Sequence, residues 1–248
     1  TTLTNDDNGV LSADNVVIYV LNNSGSVDIT DRQGNGNTLT TVNNDGYMTI
    51  NNAIIDTFKN NSSVSGLGNI VILTLENTEY VSMSGDIRIT NINNNGNIDI
   101  IDTSGNSVIG AKHVDGNNIT YSSIKNTGDL SLDGVRISGQ VSGVGNLTLN
   151  NTILLDGVID KEQNVQLNTS ARLNITDGTM NFNNGDNWTG YIELNSGAMN
   201  YSDLLANGEF VASAGELNIL TSDLDAITTL TIAGNSSIAR DVIVTIQS

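Results

Sequence analysis

Residues able to do chemistry are few in this chain of 248 residues, which has no cysteine and a single histidine, His113. Hydrolysis of a glycosidic bond would need two carboxyl groups that face one groove. The candidate aspartate pairs are Asp99 and Asp102, Asp156 and Asp160, and Asp223 and Asp225. Asp99 lies between two isoleucines, so the alternation of a β-strand would turn it to solvent while they face inward. We expect every pair to lie on a solvated surface and predict no enzyme activity.

A polysaccharide lyase would need a bound calcium ion and a basic residue instead of two carboxyl groups. Acidic loops occur at Asp6-Asp7 and Asp223-Leu-Asp225, but neither contains an EF-hand loop or the glycine-rich nonapeptide of calcium-binding solenoids. His113 lies in an irregular stretch, residues 111–118, and we expect it on an exposed loop. The sequence therefore predicts no metal ion and no cofactor.

A candidate for ligand binding is the only tryptophan, Trp188, in a polar segment with Asp186 before it and Tyr191 after it. An exposed indole ring flanked by amides and a carboxylate could stack on a sugar ring. The alternative is that the ring lies flat over an edge of the fold. Trp188, Tyr191 and Asp186 thus form a candidate carbohydrate site.

The composition disfavours several classes of partner. The formal net charge is −18 and only nine residues are lysine or arginine, so nucleic acid and anionic membranes are not expected partners. No apolar run approaches the roughly 18 residues of a transmembrane helix.

The composition also favours β structure. Proline is absent, which agrees with near-complete β pairing because proline cannot donate a backbone hydrogen bond. The 39 asparagines could hydrogen-bond to one another along a stack of strands.

One short sequence motif recurs along the chain. In Gly145-Asn-Leu-Thr-Leu-Asn-Asn151, a glycine and two asparagines, which tolerate tight corners, enclose a strand with two leucines on one face. We predict that Leu147 faces the interior, that Thr148 faces solvent, and that Gly128 and Gly145 have positive φ or lie against neighbouring backbone. Copies with the pattern glycine, polar, apolar, any residue, apolar begin at Gly25, Gly46, Gly68, Gly85, Gly96, Gly128, Gly190 and Gly215.

The spacing of these copies indicates a coil. Two interleaved series near the C-terminus repeat at intervals of 18 to 20 residues: Leu173, Ile192, Phe210 and Leu230 in one, and Met180, Met199 and Leu217 in the other. An earlier series consists of Val27, Met48, Ile70 and Ile87. The two C-terminal series are offset by about seven residues, which is one strand plus one corner. Each repeat therefore has two strands and room for a third.

Short strands with this period favour a coil over a meander of hairpins. We predict an all-β fold, a right-handed parallel β-helix (β-solenoid) of about 12 to 13 coils with roughly 19 residues each. Residues 1–248 form a single solenoid in this interpretation. Residues 1–15 are a cap or a preceding coil, and residues 203–248 are less regular C-terminal coils, in which residues 222–227 could form a helical turn.

These features resemble those of bacterial surface β-helices. The repeats at 96–100 and 145–151, in an acidic chain without cysteine, are similar to those of autotransporter passenger regions and of filamentous haemagglutinin-like adhesins. The resemblance covers residues 16–248 and implies an extracellular or cell-surface rod that mediates adhesion, aggregation or fibre formation. The partners that it implies are cell-surface glycans or proteins, or copies of the chain that associate laterally or end to end.

Two alternative functions stay open at this point. A carbohydrate-active β-helix, related to phage tailspikes or polysaccharide lyases, would share the fold but would need a clustered acid–base site, which the sequence does not show. A surface-layer or filament subunit would join such rods end to end. The leading hypothesis is a non-enzymatic extracellular structural or adhesive rod, with no nucleic-acid partner and no membrane insertion.

Overall fold

The strands of the chain stack as a coil. A computed structural model describes residues 1–31, 36–116, 118–155, 157–160, 164–167, 172–176, 178–182, 187–188, 190–201, 204–206, 209–220, 230–232, 236–240 and 242–247. These residues contain strands and no helix, and the strands form a parallel β-solenoid of about 10 turns with roughly 18 residues per coil. The predicted fold class is confirmed, with fewer turns than the 12 or 13 expected. The right-handed sense of the coil stays a prediction.

Each coil has three faces, named A, B and C in chain order. Two long strands pass through all three faces, β6 (Tyr47–Asn60) and β7 (Ser63–Asn77). Three others pass from face B to face C, namely β3 (Val17–Asn23), β5 (Asn37–Asn44) and β9 (Ile87–Asn94). Pairing between equivalent strands of successive coils is parallel throughout, so a residue lies above its equivalent one coil away.

Face A consists of short strands whose alternate residues point inward. The first residues of β6 and β7 belong to it. Its other strands are β2 (Val10–Asp14), β4 (Ser26–Thr30), β8 (Tyr80–Ser84), β10 (Asn97–Ile101), β15 (Asp129–Asp133), β18 (Asn146–Asn150), β21 (Asn164–Leu167) and β24 (Asn187–Trp188).

Faces B and C complete each coil. Besides the long strands, face B contains β11 (Val108–Ile109), β16 (Arg136–Ile137), β19 (Thr152–Leu155), β22 (Arg172–Thr176), β25 (Tyr191–Leu194), β28 (Glu209–Ala212) and β31 (Ser236–Ile238). Face C contains β1 (Thr2–Asn5), β14 (Ser123–Asn126), β17 (Gln140–Ser142), β20 (Val158–Ile159), β23 (Gly178–Asn181), β26 (Gly197–Tyr201), β29 (Gly215–Leu220) and β32 (Val242–Gln247). Residues 1–15 are therefore stacked into the solenoid, because β1 pairs with β3 and β2 with β4.

Two small sheets lie outside these stacks. Strands β12 (Lys112–Asp115) and β13 (Asn118–Tyr121) form an antiparallel hairpin between faces B and C, and β27 (Leu204–Ala206) pairs in parallel with β30 (Leu230–Ile232). The hairpin and the loop before it lengthen one coil: equivalent asparagines are 32 residues apart across it and 17 residues apart in the preceding coil. These extra residues add no turn, which is one reason for the lower number of turns.

The interior is a continuous stack of apolar side chains. On face A, Leu130 stacks on Leu147, and on face C, Phe58 stacks on Leu75, and all four side chains are buried. Leu147 faces inward and Thr148 lies half-buried on the outer side, so the predicted register is confirmed. Burial of such side chains is the main stabilising contribution, at about 25 cal/mol for each Å² removed from water.

A second stack inside the coil is polar. Seven asparagines, here called the asparagine ladder, occupy the corner where face C turns into face A. The Nδ2 of each donates to the Oδ1 of the next at 2.7–2.9 Å, through Asn5, Asn23, Asn44, Asn60, Asn77, Asn94 and Asn126. All seven side chains are buried. The expectation that asparagines stack amide to amide along the rod is therefore confirmed.

Glycines at this corner lie against the neighbouring backbone. A Cβ added to Gly128 would meet the carbonyl oxygen of Gly96, and one added to Gly145 would meet that of Gly128. Neither glycine has positive φ. Of the two predicted reasons for glycine at these positions, close approach to neighbouring backbone is therefore the one that applies. Ser62 and Glu79 occupy the equivalent position in two other coils, each two residues after a ladder asparagine.

The recurring sequence motif occurs at three different corners of the coil. Copies at Gly46 and Gly145 begin face A strands, the copy at Gly68 begins a face B segment, and Gly215 begins a face C strand. Met48 therefore pairs with Val64, and not with Ile70 as the predicted series required. Phe210 likewise pairs with Ser236, so the placement of Leu230 after Phe210 was wrong.

Candidate functional site

The corner between faces A and B is built differently in different coils. In six coils, one residue in the left-handed conformation turns the chain there: Asn15 (φ 54°), Asn52 (φ 48°), Gly68 (φ 88°), Gly85 (φ 126°), Gly134 (φ 73°) and Asn151 (φ 47°). Glycine and asparagine are the residues that adopt this conformation most readily. Two coils have a longer loop at the same corner, one beginning at Asp31 and the other at Asp102.

The Asp102 loop is built around a buried carboxylate, with 4% of the residue exposed. Oδ1 accepts the backbone N–H and the hydroxyl of Ser104, both at 2.6 Å. Oδ2 accepts the backbone N–H groups of Asn106 and Ser107, both at 2.7 Å. The Ser107 hydroxyl in turn donates to the carbonyl of Gly85 at 2.9 Å. The carboxylate therefore shapes the loop, and Ser107 ties it to the preceding coil.

These contacts decide the charge of Asp102. Burial alone would raise the pKa of this carboxyl, but the hydrogen bonds from Ser104 and Ser107 outweigh burial and hold the pKa well below its usual range. Asp102 therefore stays ionised at any pH at which proteins normally function. A carboxylate whose oxygens already accept four hydrogen bonds is poorly suited to transfer a proton to a substrate.

A groove of about 490 Å³ lies beside this loop. Its apolar part is formed by Ile101 and Ile153, and its polar part includes Ser104, Asp133 and Asn151. Asp133 is held in place by the side-chain amide of Asn151 at 3.0 Å and by that of Asn150 at 2.9 Å. A concave surface with an apolar floor and a polar rim suits a small polar ligand.

A smaller groove repeats this arrangement at the Asp31 loop. Asp31 is buried and its Oδ2 accepts the backbone N–H of Gly36 at 2.9 Å. The groove, of about 270 Å³, is lined by Asp31 and Asn52 and by the outward side chains of Ile54 and Val71. The two loops thus use the same device, a buried aspartate that binds the loop backbone beside a shallow groove.

Of the aspartate pairs considered from sequence, the structure describes both members only for Asp99 and Asp102. Asp99 lies on the outer side of face A, half-buried between Ser82 and Ser131 of the adjacent coils. Its predicted orientation is confirmed, whereas the prediction of a solvated Asp102 is wrong because the chain folds back over that carboxylate. Asp160 accepts the side-chain amide of Gln140 at 3.0 Å. Asp156, Asp223 and Asp225 lie outside the described residues.

The structure describes the other candidate residues only in part. His113 is exposed, as expected, but it lies in hairpin strand β12 and not in an irregular loop. Trp188 ends β24 on face A, and Tyr191 begins β25 on face B, where it is half-buried. The side chain of Trp188 and the whole of Asp186 lie outside the described part of the chain, as do residues 222–227. Among the described residues, no cluster of three or more His, Cys, Asp or Glu could hold a metal ion.

The role of Asp102 in its loop does not follow from its pairing with Asp99, the only role that the sequence predicted for it. A local signal was present in Asp102-Thr-Ser-Gly-Asn-Ser107. An aspartate followed by serine and glycine at these spacings favours a turn in which the carboxylate accepts backbone N–H groups.

The comparison with known proteins gives no match. No family model fits the sequence, and no curated protein or solved structure is significantly similar to it. In the described residues, no helix is long and apolar enough to cross a membrane.

Proposed function

We propose that the chain is a non-enzymatic structural or adhesive rod that works at the exterior of a cell. The supporting observation is the regular outer surface of the solenoid. On face A, one outward column consists only of short polar side chains, in the order Asp28, Thr49, Ser65, Ser82, Asp99, Ser131 and Thr148. Such a surface offers many similar weak contacts, which together can give a high avidity.

The state of the carboxyl groups also supports a binding role. Asp102 is fully engaged by its own loop, and Asp99 lies in a column between two serines. A glycoside hydrolase needs one carboxyl group that can give up a proton and a second that faces the same bond. Neither Asp99 nor Asp102 is placed to form such a pair with the other.

The charge of the chain narrows the partners that we propose. With a net charge of −18, long-range attraction to nucleic acid or to strongly anionic glycans is disfavoured. The partners are cell-surface glycans or proteins of low negative charge, or other copies of the rod. Contacts to them are short-ranged and come from hydroxyl, amide and aromatic groups on the outer faces.

Two assays test this proposal together. Beads coated with the folded protein should aggregate or bind cells, whereas beads coated with heat-unfolded protein should not. The soluble protein should release no reducing ends from a panel of neutral and acidic polysaccharides. Depolymerisation that is abolished by changing one aspartate would overturn the adhesive role and favour the carbohydrate-active alternative.

A further inference from the structure

The face A strand segments of three consecutive coils carry no charge, in a chain with a net charge of −18. The exposed residues Asp45 and Glu79 lie at the corner just before two of these segments. Their strand segments are Tyr47-Met-Thr-Ile-Asn51, Ser63-Val-Ser-Gly-Leu67 and Tyr80-Val-Ser-Met-Ser84. Carboxylates reappear on the same face one coil before, at Asp28, and one coil after, at Asp99. The outer surface of these three segments is here called the neutral patch.

Two tyrosine rings dominate the neutral patch. Tyr47 and Tyr80 lie in one outward column with Ser63 between them, and they are 50% and 45% exposed. Because parallel strands are about 4.8 Å apart, the two rings are separated by about 10 Å along the rod. One pyranose unit of a β-1,4-linked chain is about as long as one strand spacing. The rings are therefore spaced to contact every second sugar of such a chain.

Most hydroxyl groups of the neutral patch are not engaged with protein atoms. Thr49 donates to Asp28 at 2.6 Å, but in the part of the chain that the structure describes the hydroxyls of Tyr47, Ser63, Ser65, Tyr80 and Ser82 have no hydrogen-bond partner. Elsewhere on the outer surface, some side chains of adjacent coils bond to each other. Side-chain amides donate from Asn43 to Asn22 at 2.8 Å, from Asn61 to Asp45 at 2.9 Å and from Asn146 to Asp129 at 2.6 Å. The patch thus combines open hydroxyl groups with aromatic surface.

We propose that the neutral patch binds an uncharged, linear polysaccharide that runs along the axis of the rod. Tyr47 and Tyr80 stack on alternate sugar rings, and the hydroxyls of Ser65 and Ser82 hydrogen-bond to sugar hydroxyls beside them. The lack of charge on these strands matches an uncharged ligand, since an anionic one would meet Asp28 or Asp99 at the ends of the patch and Asp45 or Glu79 at its side. This proposal rests on the proposed function and names a ligand class and a site for it.

The size of the patch favours a polysaccharide over a second copy of the chain. Three strands at about 4.8 Å spacing and five residues at about 3.3 Å each cover roughly 240 Å². A stable protein–protein interface buries about 800 Å² on each partner. An oligosaccharide needs only a strip of this width that runs along the rod.

Titration of the full chain with uncharged oligosaccharides tests the proposal. The probes are cellohexaose and chitohexaose, with an oligomer of polygalacturonate as the anionic counterpart, and binding is followed by calorimetry. We expect at least one uncharged probe to bind, and Tyr47→Ala and Tyr80→Ala to weaken it by roughly tenfold each. Tyr19→Ala is the matched control, because Tyr19 is an exposed tyrosine (64%) outside face A. It should leave the affinity unchanged.

Three results would overturn the proposal. They are no binding of either uncharged probe, an equal loss of affinity in the Tyr19→Ala variant, and tighter binding of the anionic oligomer than of the uncharged probes. Sedimentation that shows a dimer dissociated by Tyr47→Ala would instead assign the patch to self-association. The far-ultraviolet circular dichroism of all variants should match that of the parent, since these side chains point outward.

A bead assay separates this inference from the adhesive function. If beads bind cells equally well with and without the two tyrosines, this inference fails while the adhesive function stands. If no beads bind cells, the adhesive function fails independently.

Discussion

Replacing one rung of the asparagine ladder tests whether the buried amides hold the coils in register. Asn77 is 1% exposed. Its Oδ1 accepts the amide of Asn60 at 2.8 Å, and its Nδ2 donates to Asn94 at 2.9 Å and to the backbone carbonyls of Glu79 and Asn97 at 3.0 and 3.2 Å. Asn77→Ala removes all of these bonds and interrupts the ladder, although the Asn60 amide keeps the backbone carbonyls of Ser62 and Tyr80.

The expected loss follows from these contacts. A typical hydrogen bond contributes about 1 kcal/mol net. The loss comes from the hydrogen bonds that Asn77 itself makes, because the Asn60 amide and the Asn94 side-chain carbonyl each keep a backbone partner. We therefore expect Asn77→Ala to lower the free energy of unfolding by about 3–5 kcal/mol. Asn61→Ala is the control, because the exposed Asn61 bonds only to Asp45 and Thr78, and its loss should be about 0.5 kcal/mol or less.

Chemical denaturation followed by circular dichroism measures both changes. Since neighbouring coils of a solenoid can unfold separately, amide hydrogen exchange in residues 60–94 should be recorded as well. Protection should fall most in the coils that contain Asn60, Asn77 and Asn94. Equal losses for Asn77→Ala and Asn61→Ala, or exchange that changes evenly along the rod, would refute a structural role of the ladder.

Three further predictions concern single positions. Leu147→Asp should lower the free energy of unfolding by several kcal/mol because it buries a carboxylate, whereas Thr148→Asp on the outer side should cost about 0.5 kcal/mol or less; similar losses in urea denaturation would contradict the register. Gly145→Ala should cost about 1 kcal/mol or more, since the new Cβ meets the carbonyl of Gly128; an unchanged unfolding midpoint would contradict it. Asp102→Asn should destabilise the protein at pH 7, and the difference should shrink as the pH falls below about 4, because a lowered pKa adds stability only above the ordinary carboxyl pKa. Unfolding curves of both proteins at pH 7 and pH 3 measure this change, and a constant difference would contradict it.

The fold could be predicted from the sequence because its signals are local and repeated. Inward apolar residues at alternate positions, as at Leu147 and Leu149, mark each short strand, and the lack of proline agrees with continuous pairing. The face to which a strand belongs could not be predicted, because the same sequence motif begins strands on all three faces. Met48 and Ile70 look equivalent in sequence, yet only stacking against neighbouring coils places them on different faces.

The sites were harder to predict because they depend on which residues share an outward column. Tyr47 and Tyr80 are 33 residues apart in the sequence. They become near neighbours only because the coil places them in the same outward column, two coils apart. The role of Asp102 depends on a loop that folds back over its carboxylate. Residue type alone could not distinguish this aspartate from the exposed ones.

The ladder and the neutral patch are physically linked. Asn44, Asn60 and Asn77 each precede by three residues the start of a face A segment of the patch. The amide of Asn23 also donates to the backbone carbonyl of Tyr47 at 3.0 Å, and that of Asn60 to the carbonyl of Tyr80 at 3.2 Å. A slip of one residue on face A would turn both tyrosines inward. The buried amides thus fix where each outer strand begins, and a ladder defect that still allows folding should weaken glycan binding at the patch as well as stability.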